Sequence, residues 1–591
     1  MTDFSALVAT FLEEYFDLEP VAATDAGNHE RDGRWPDHSE AGHAARLAFA
    51  GRWEDALAAP DEAALTADER LDRDVLLGEL AARRFGGTRL REETWSPLWW
   101  VYLVGGGFFP LIAREYAPLA RRLASVAARA EALPDLLEQA RALLIGHDGR
   151  AVDRFHTEKA LEQWPGLIDL IDDAVAAAEA AEPGDAEVAA GLPRLRAARA
   201  TAAEALAAFE RHLRTFVLPD SAGDGRLGPE LFSARMAHTL RDPALTPDRV
   251  RERAEHEYAV VRAEMVRIAR EIAPAWLAGA PVPTDDDGVV RAVLDAIAAE
   301  HPPRDERVEF CRAELARIEE FCRERELLGL ADDPLEIRWT PPFLRAYAGA
   351  MLSSPGPLDT GLQAIFSITP IPADATDEEA ESHLREDNDR MLRLLTIHEA
   401  VPGHYLQGVY ASRCPSILRA IFWDGVYAEG WAVYVTQVMV DAGYEADDPA
   451  LLLTHWKFYL RAIINALIDV GVHTAGMTEG EAVALMVEGG FQEEAQARAK
   501  FDRARLSSTQ LSTYFVGSLA FWALDRAARR RAAAASGDPR GADAVPEPRV
   551  VGGYGETPGF NRRTHLEACL SHGALPMPLL RRAILGDAKA D

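Results

Sequence analysis

The chain has 591 residues, 63 basic against 95 acidic side chains for a net charge of -32, and 48 % hydrophobic residues. It is long enough for a large core, and its composition is that of a soluble globular protein. The acidic excess argues against a nucleic-acid or anionic-membrane partner, since both select basic surfaces.

In chain order, the first twenty residues carry Asp3, Glu13, Glu14, Asp17 and Glu19 and no early basic group. Phe4, Leu7, Val8, Phe11 and Leu12 share one helical face, which predicts an amphipathic helix rather than a signal peptide or membrane anchor. His29-Glu30 and His256-Glu257 have no second histidine one or two turns on and read as surface residues. Alanine, leucine, glutamate and arginine at helical spacing predict long helices over 119–145, 187–215, 246–272, 304–328 and 451–472. Loops are expected at 182–186, 218–229, 278–288 and 536–560, the last a Gly- and Pro-rich mobile surface segment. Cys311 and Cys322 extend a stripe with Val308, Leu315 and Ile318 and read as core; with Cys414 and Cys569 they form no disulfide or zinc-knuckle pattern, which fits a reducing cytoplasm. No apolar run is long and pure enough to span a bilayer, and no repeat of solenoid period occurs. An N-terminal helical part, 1–225, and a catalytic helical part, 226–591, are expected to form one continuous structural unit.

The exception to helix is 335–372. Leu335-Glu336-Ile337-Arg338-Trp339 alternates, and Ala364-Ile365-Phe366-Ser367-Ile368 is short and β-prone between breakers. Such a small sheet either offers an unpaired edge to an extended substrate backbone or merely packs against the helices.

The segment His398-Glu399-Ala400-Val401-Pro402-Gly403-His404 follows, with Glu429-Gly430-Trp431-Ala432-Val433-Tyr434 beyond it. A catalytic zinc site needs three protein ligands, an open position for water, and a carboxylate able to take the water's proton. His398, His404 and Glu429 supply the ligands for one Zn2+ per chain, and Glu399 the base. In the ordinary HExxH pattern the histidines lie one helical turn apart. The six-residue offset here would turn His404 roughly 240° away from His398 on an unbroken helix. Pro402 interrupts the backbone ladder and Gly403 can take angles closed to other residues. A break at Pro402-Gly403 is therefore predicted, returning His404 to the metal. Residues 426–440 are almost all apolar, so Glu429 is a lone acid on a buried helix, where a charge is costly unless paired or metal-bound. Its small neighbours Ala428, Gly430 and Ala432 allow another helix to approach closely.

Further candidates lie downstream. Asp469 and His473 are one turn apart near a helix end, so His473 either stabilises an oxyanion or is a helix-terminal histidine in a favourable dipole. Arg503, Arg505, Gln510 and Tyr514 cluster within a few turns; Arg503 or Tyr514 suits the oxyanion or a substrate carboxylate.

His398-Glu399-Ala400-Val401-Pro402-Gly403-His404 with Glu429-Gly430-Trp431-Ala432-Val433-Tyr434 resembles the bacterial domain-of-unknown-function 885 family, whose pattern is HExxPGH followed by EGWAxY. The likeness runs nearly end to end, through Ser96-Pro97-Leu98, Thr340-Pro341-Pro342, Asp469 to Thr474, and His572 to Pro576. It implies a zinc metallopeptidase with a mainly α, large helical, gluzincin-like fold around a deep cleft that admits peptides, with a small β-sheet next to the metal-binding helix. There are departures: Ser508-Thr509-Gln510 replaces the family's Pro-Gly-Gln, Ala504 a tyrosine, Thr436 a glutamate and Met477 a tryptophan. The expectation is a cytoplasmic zinc-dependent hydrolase of a short peptide or peptide-like amide, with His473, Arg503 or Tyr514 stabilising the oxyanion. Alternatives are a metal-dependent hydrolase or tailoring enzyme acting on a small-molecule amino-acid conjugate or biosynthetic intermediate, and a non-catalytic binding protein on an enzyme scaffold.

Overall fold

The computed structural model describes residues 4–181, 183–340, 345, 349–545, 548 and 550–586. Glu182 of the expected 182–186 loop, and Pro341 and Pro342 of the Thr340-Pro341-Pro342 motif, lie outside them. The fold is mainly helical with one small sheet. Contacts divide it into two compact units, Met1–Arg226 with Pro355–Leu362, and Leu227–Ser354 with Gln363–Asp591.

In the first unit the amphipathic N-terminal helix forms over Phe4–Leu18. It buries Phe11 against Phe49 and Trp53, at ring separations of 5.4 and 5.2 Å. Leu119–Leu143 and Ala186–His212 form close to their expected bounds and pack on one another. His29 corrects the surface expectation. Its ring stacks on Tyr116, Nδ1 lies 3.0 Å from Asp32 and Nε2 lies 2.9 Å from Asp359. Asp359 belongs to the segment that returns to this unit, and Leu358 N–H donates to the Ala26 carbonyl at 2.9 Å. Burial alone would lower the His29 pKa, but the two carboxylates outweigh it and push it up to about 9. A sequence scan misses this because Asp359 lies far along the chain. His256 is exposed as expected, whereas Glu257 beside it is buried and pairs with Arg253.

The second unit is built around Pro449–Thr474, a helix whose second half is buried almost on every side. It packs against Pro247–Trp276 and Leu511–Ala535. Gly425–Asp441 lies on Leu511–Ala535, and the crossing is a glycine contact. A Cβ on Gly430 would come within 2.4 Å of the Gly517 backbone, and one on Gly517 within 2.2 Å of the Val426 carbonyl.

The two expected strands form, as β1 (Leu335–Trp339) and β3 (Ala364–Ile368), with β2 (Ala350–Ser353) between them in sequence. The spatial order is β1-β3-β2; β3 pairs parallel with β1 and antiparallel with β2, with Leu352 opposite Phe366. Ile337, Phe366 and Ile368 pack on Val308 and Cys311 of helix Arg307–Glu324 and on Leu392 and Ala400. The sheet is thereby fastened beside the helix that carries His398. Cys311 and Cys322 are buried, and none of the four cysteines is in a disulfide.

Of the expected 536–560 loop, Pro546, Glu547 and Arg549 lie outside the described residues, and several of the others are held against the helices. Ala544 and Val545 are buried against Ala533 with Tyr554 packed on them, Gln437 Nε2 donates to the Val551 carbonyl, and Arg529 donates to the Gly555 carbonyl. Among the described residues no single helix is long and apolar enough to cross a membrane.

Candidate metal centre

The first ligand helix, Asp389–Glu399, starts at Asn388, whose side chain accepts from the N–H groups of Arg390 and Met391. It stops at Glu399. Ala400 leaves helical angles (φ -103°, ψ -100°), the Val401–Pro402 peptide is cis, and a new helix, His404–Ser412, begins after Gly403. The break expected at Pro402-Gly403 is present, and it requires glycine. A Cβ at Gly403 would lie 1.9 Å from the His398 carbonyl oxygen and 2.4 Å from that of Ile397. Trp431 Nε1 donates to the Pro402 carbonyl at 2.9 Å, tying the break to the helix that carries Glu429.

This turn brings the three candidate ligands together. One donor atom from each of His398, His404 and Glu429 falls within 4.8 Å of the others. The imidazoles meet edge to face at 4.8 Å, and His404 Nε2 is 3.5 Å from Glu429 Oε2. Two ligands about 2.0–2.1 Å from a tetrahedral zinc ion sit about 3.3 Å apart, so the His404–Glu429 pair has the spacing of two zinc ligands. His398 is buried, and its Nδ1 has no hydrogen-bond partner. Two imidazoles and a carboxylate, with that orphaned nitrogen, fit a zinc ion.

Burial, then the neighbouring His404, push His398 down to about 3 and keep it neutral. Burial also opposes charge on His404, but the hydrogen bond to Glu429 prevails and raises its pKa to about 9. Burial works to raise the Glu429 pKa, and the His404 contact brings it below its ordinary value. Gln407, which the sequence reading missed, orients this pair. Its Oε1 lies 3.4 Å from His404 Nδ1, and its Nε2 donates to the Tyr427 carbonyl at 3.4 Å. An acceptor at Nδ1 places that ring's proton there and leaves Nε2 its lone pair for a metal.

Glu399 stands at the end of the first ligand helix, half-buried. Burial, followed by the opposing charge of His404 and the like charge of Glu429, leaves its carboxyl above the usual range. The backbone N–H of Leu352 in edge strand β2 faces the Glu399 carboxylate. The sheet edge next to Glu399 is therefore β2, a strand the sequence reading did not separate because it spans only Ala350–Ser353.

Of the remaining candidates, Arg503 and Tyr514 lie near the cluster and His473 does not face it. Arg503 Nη2 donates to Gln510 Oε1 at 3.0 Å and to the Tyr514 hydroxyl at 3.3 Å, while Gln510 Nε2 donates to the same hydroxyl at 3.2 Å. Burial and then the charge of Glu429 raise the Tyr514 pKa, so its proton stays on and is available to donate. His473 has both nitrogens on backbone: Nδ1 accepts from Leu227 N–H at 3.1 Å, Nε2 donates to the Ala504 carbonyl at 3.0 Å, and the ring stacks on Phe232. Nor does Asp469 orient it. Asp469 accepts from the N–H groups of Thr509 and Ser512 and from Ser512 Oγ, capping Leu511–Ala535. Arg505 pairs with Asp502.

A helical protein with a broken helix, two imidazoles and a carboxylate converging from three helices is the class that fold and site define. Residues 20–584 match the family described as bacterial protein of unknown function (DUF885), and the chain belongs to that family. The solved structure of a "putative lipoprotein of unknown function" from Shewanella oneidensis is 29 % identical, with 99 % of this chain and 100 % of that one covered at a TM-score of 0.81. A second "putative lipoprotein", from Colwellia psychrerythraea, shares the fold at 16 % identity and a TM-score of 0.76, covering 98 % of each chain. No curated protein matches the chain.

Proposed function

We propose that the protein is a zinc-dependent hydrolase that cleaves an amide bond in a short peptide or peptide-like substrate, on a gluzincin-like scaffold whose cleft admits extended chains. The observation that carries this reading is the convergence of His398, His404 and Glu429 with the Glu399 carboxyl alongside. A purely structural zinc site has no need of that carboxyl. His398, His404 and Glu429 hold one zinc ion, which when bound lowers the pKa of a water molecule and polarises the scissile carbonyl. Glu399 takes the proton from the attacking water and passes it to the leaving amine. Tyr514, already accepting from Arg503 and Gln510, turns its own O–H to the oxyanion, and Arg503 adds positive charge there. Among the described residues β2 is an edge strand, and beside Glu399 it offers backbone groups to an extended substrate.

Metal analysis of the purified protein is expected to find about one zinc per chain. Glu399→Gln should retain that metal and lose at least about a hundredfold in hydrolysis of a mixed peptide library. A Glu399→Gln protein as active as wild type would remove Glu399 from the base role, and a His404→Ala or Glu429→Ala protein that still binds zinc tightly would remove that ligand.

A further inference from the structure

In a strongly acidic protein, one group of cations gathers beside the metal cluster. Phe458 lies with its ring 5.5 Å from that of His398, and Arg461 follows it by three residues on the same helix, so both share one face. Lys457 and Arg461 share a single acid, Glu386: Lys457 Nζ is 3.4 Å away and Arg461 Nη2 donates to its other oxygen. On helix Glu494–Leu506, Lys500 and Arg503 are three residues apart and share a face. The charge of Arg503 acts on Glu429, and those of Arg461, Arg503, Glu386 and Glu429 act on Lys500, so all stand in one electrostatic neighbourhood.

The acids there are already claimed, Glu386 by Lys457 and Arg461, Glu429 by His404. Lys500 is half-buried and has no hydrogen-bond or ion-pair partner among the described residues. Arg503 is exposed, and only its Nη2 is engaged, with the neutral partners Gln510 and Tyr514. Most of its five donors remain available in the fork that matches a carboxylate. Burial and then the two arginines pull the Lys500 pKa down to about 7, and a carboxylate bound at Nζ would keep the ammonium charged.

We propose that Lys500 and Arg503, with Arg461 behind them, form an anion subsite that holds a carboxylate of the substrate beside the metal cluster. The carboxylate is either a peptide's free C-terminus or an Asp or Glu side chain. Resting on the hydrolase reading above, this makes the substrate an acid whose cleaved bond lies near its anchored carboxylate. Exposed charges interact over about 10 Å at most and an extended residue spans about 3.5 Å, so no more than about three residues separate the two.

The test uses the full-length, zinc-loaded chain and three probes: N-acetyl-Ala-Ala-Ala as the free acid, the same peptide as its C-terminal amide, and N-acetyl-Ala-Glu-Ala amide. Affinities are measured by calorimetry on the Glu399→Gln protein, and turnover on wild type. One of the two acids should bind about ten- to a hundredfold more tightly than the neutral amide; which one does so identifies the source of the carboxylate. Lys500→Met and Arg503→Gln in the same background should each erase most of that preference, and Lys500→Arg should restore much of it. Equal binding of all three probes, no binding of either acid, or a preference that survives both substitutions and thus belongs to the metal alone would overturn the proposal. A preference lost in Lys500→Met with no probe hydrolysed by wild type would leave the subsite standing and count only against the hydrolase reading.

Discussion

Replacing Gly430 by alanine tests whether a helix crossing outside the ligand set governs the site. Its Cβ would stand 2.4, 2.5 and 2.8 Å from three backbone atoms of Gly517, where ordinary contact begins at 3.4 Å. None of these atoms belongs to a flexible side chain, so Gly425–Asp441 and Leu511–Ala535 must separate by about 1 Å to accept one methyl. Overpacking of this kind costs about 1–3 kcal/mol, a fall of a few degrees in melting temperature for a chain of this size. The consequence for the site is larger. Glu429 is the residue next to Gly430, and metal–ligand distances tolerate deviations of only about 0.2 Å. Gly430→Ala should therefore lower zinc affinity at least about tenfold, beyond what its modest loss of stability would suggest. Chelator competition and a thermal melt on the same preparation measure both quantities. Wild-type affinity in a protein whose melting temperature has fallen would show that Glu429 is not positioned by this crossing, and an unchanged melt would reject the packing argument itself.

Gln407→Leu removes the acceptor at His404 Nδ1 while preserving volume, and is expected to weaken metal binding about ten- to a hundredfold with little change in secondary structure, as read by chelator competition and circular dichroism. His29 gives the first unit a pH dependence: its folded pKa is raised from 6.5 to about 9, so its stabilisation is complete below about 6.5 and is lost as pH rises through 9. At about 1.4 kcal/mol per pH unit the loss amounts to about 3 kcal/mol. Urea denaturation at pH 6 and pH 9.5 should show it in wild type and not in His29→Gln, and an equal loss in both proteins would place its origin elsewhere.

What was legible in the sequence was local. Pro402 and Gly403 announce a helix break because one lacks an amide hydrogen and the other lacks a Cβ, and the break falls where those properties put it. Glu429 stood out as a lone acid on an apolar helix, and the small residues around it implied the close crossing that Gly430 and Gly517 make. Partner choice was not legible, because it depends on elements that meet only in the fold. Asp469 and His473 have the spacing of a cooperating pair, yet Asp469 turns to the start of Leu511–Ala535 and His473 to the backbone of Leu227 and Ala504. One physical rule accounts for both: buried polar groups take whatever partner satisfies them, and backbone N–H and carbonyl groups, which carry no side-chain signature, are the commonest partners. The same rule marks the residues that escape it. Lys500 and His398 Nδ1 are among the polar groups that the described fold leaves without a hydrogen bond. Groups left so in a cluster this heavily hydrogen-bonded are where a ligand from outside the chain has most to gain.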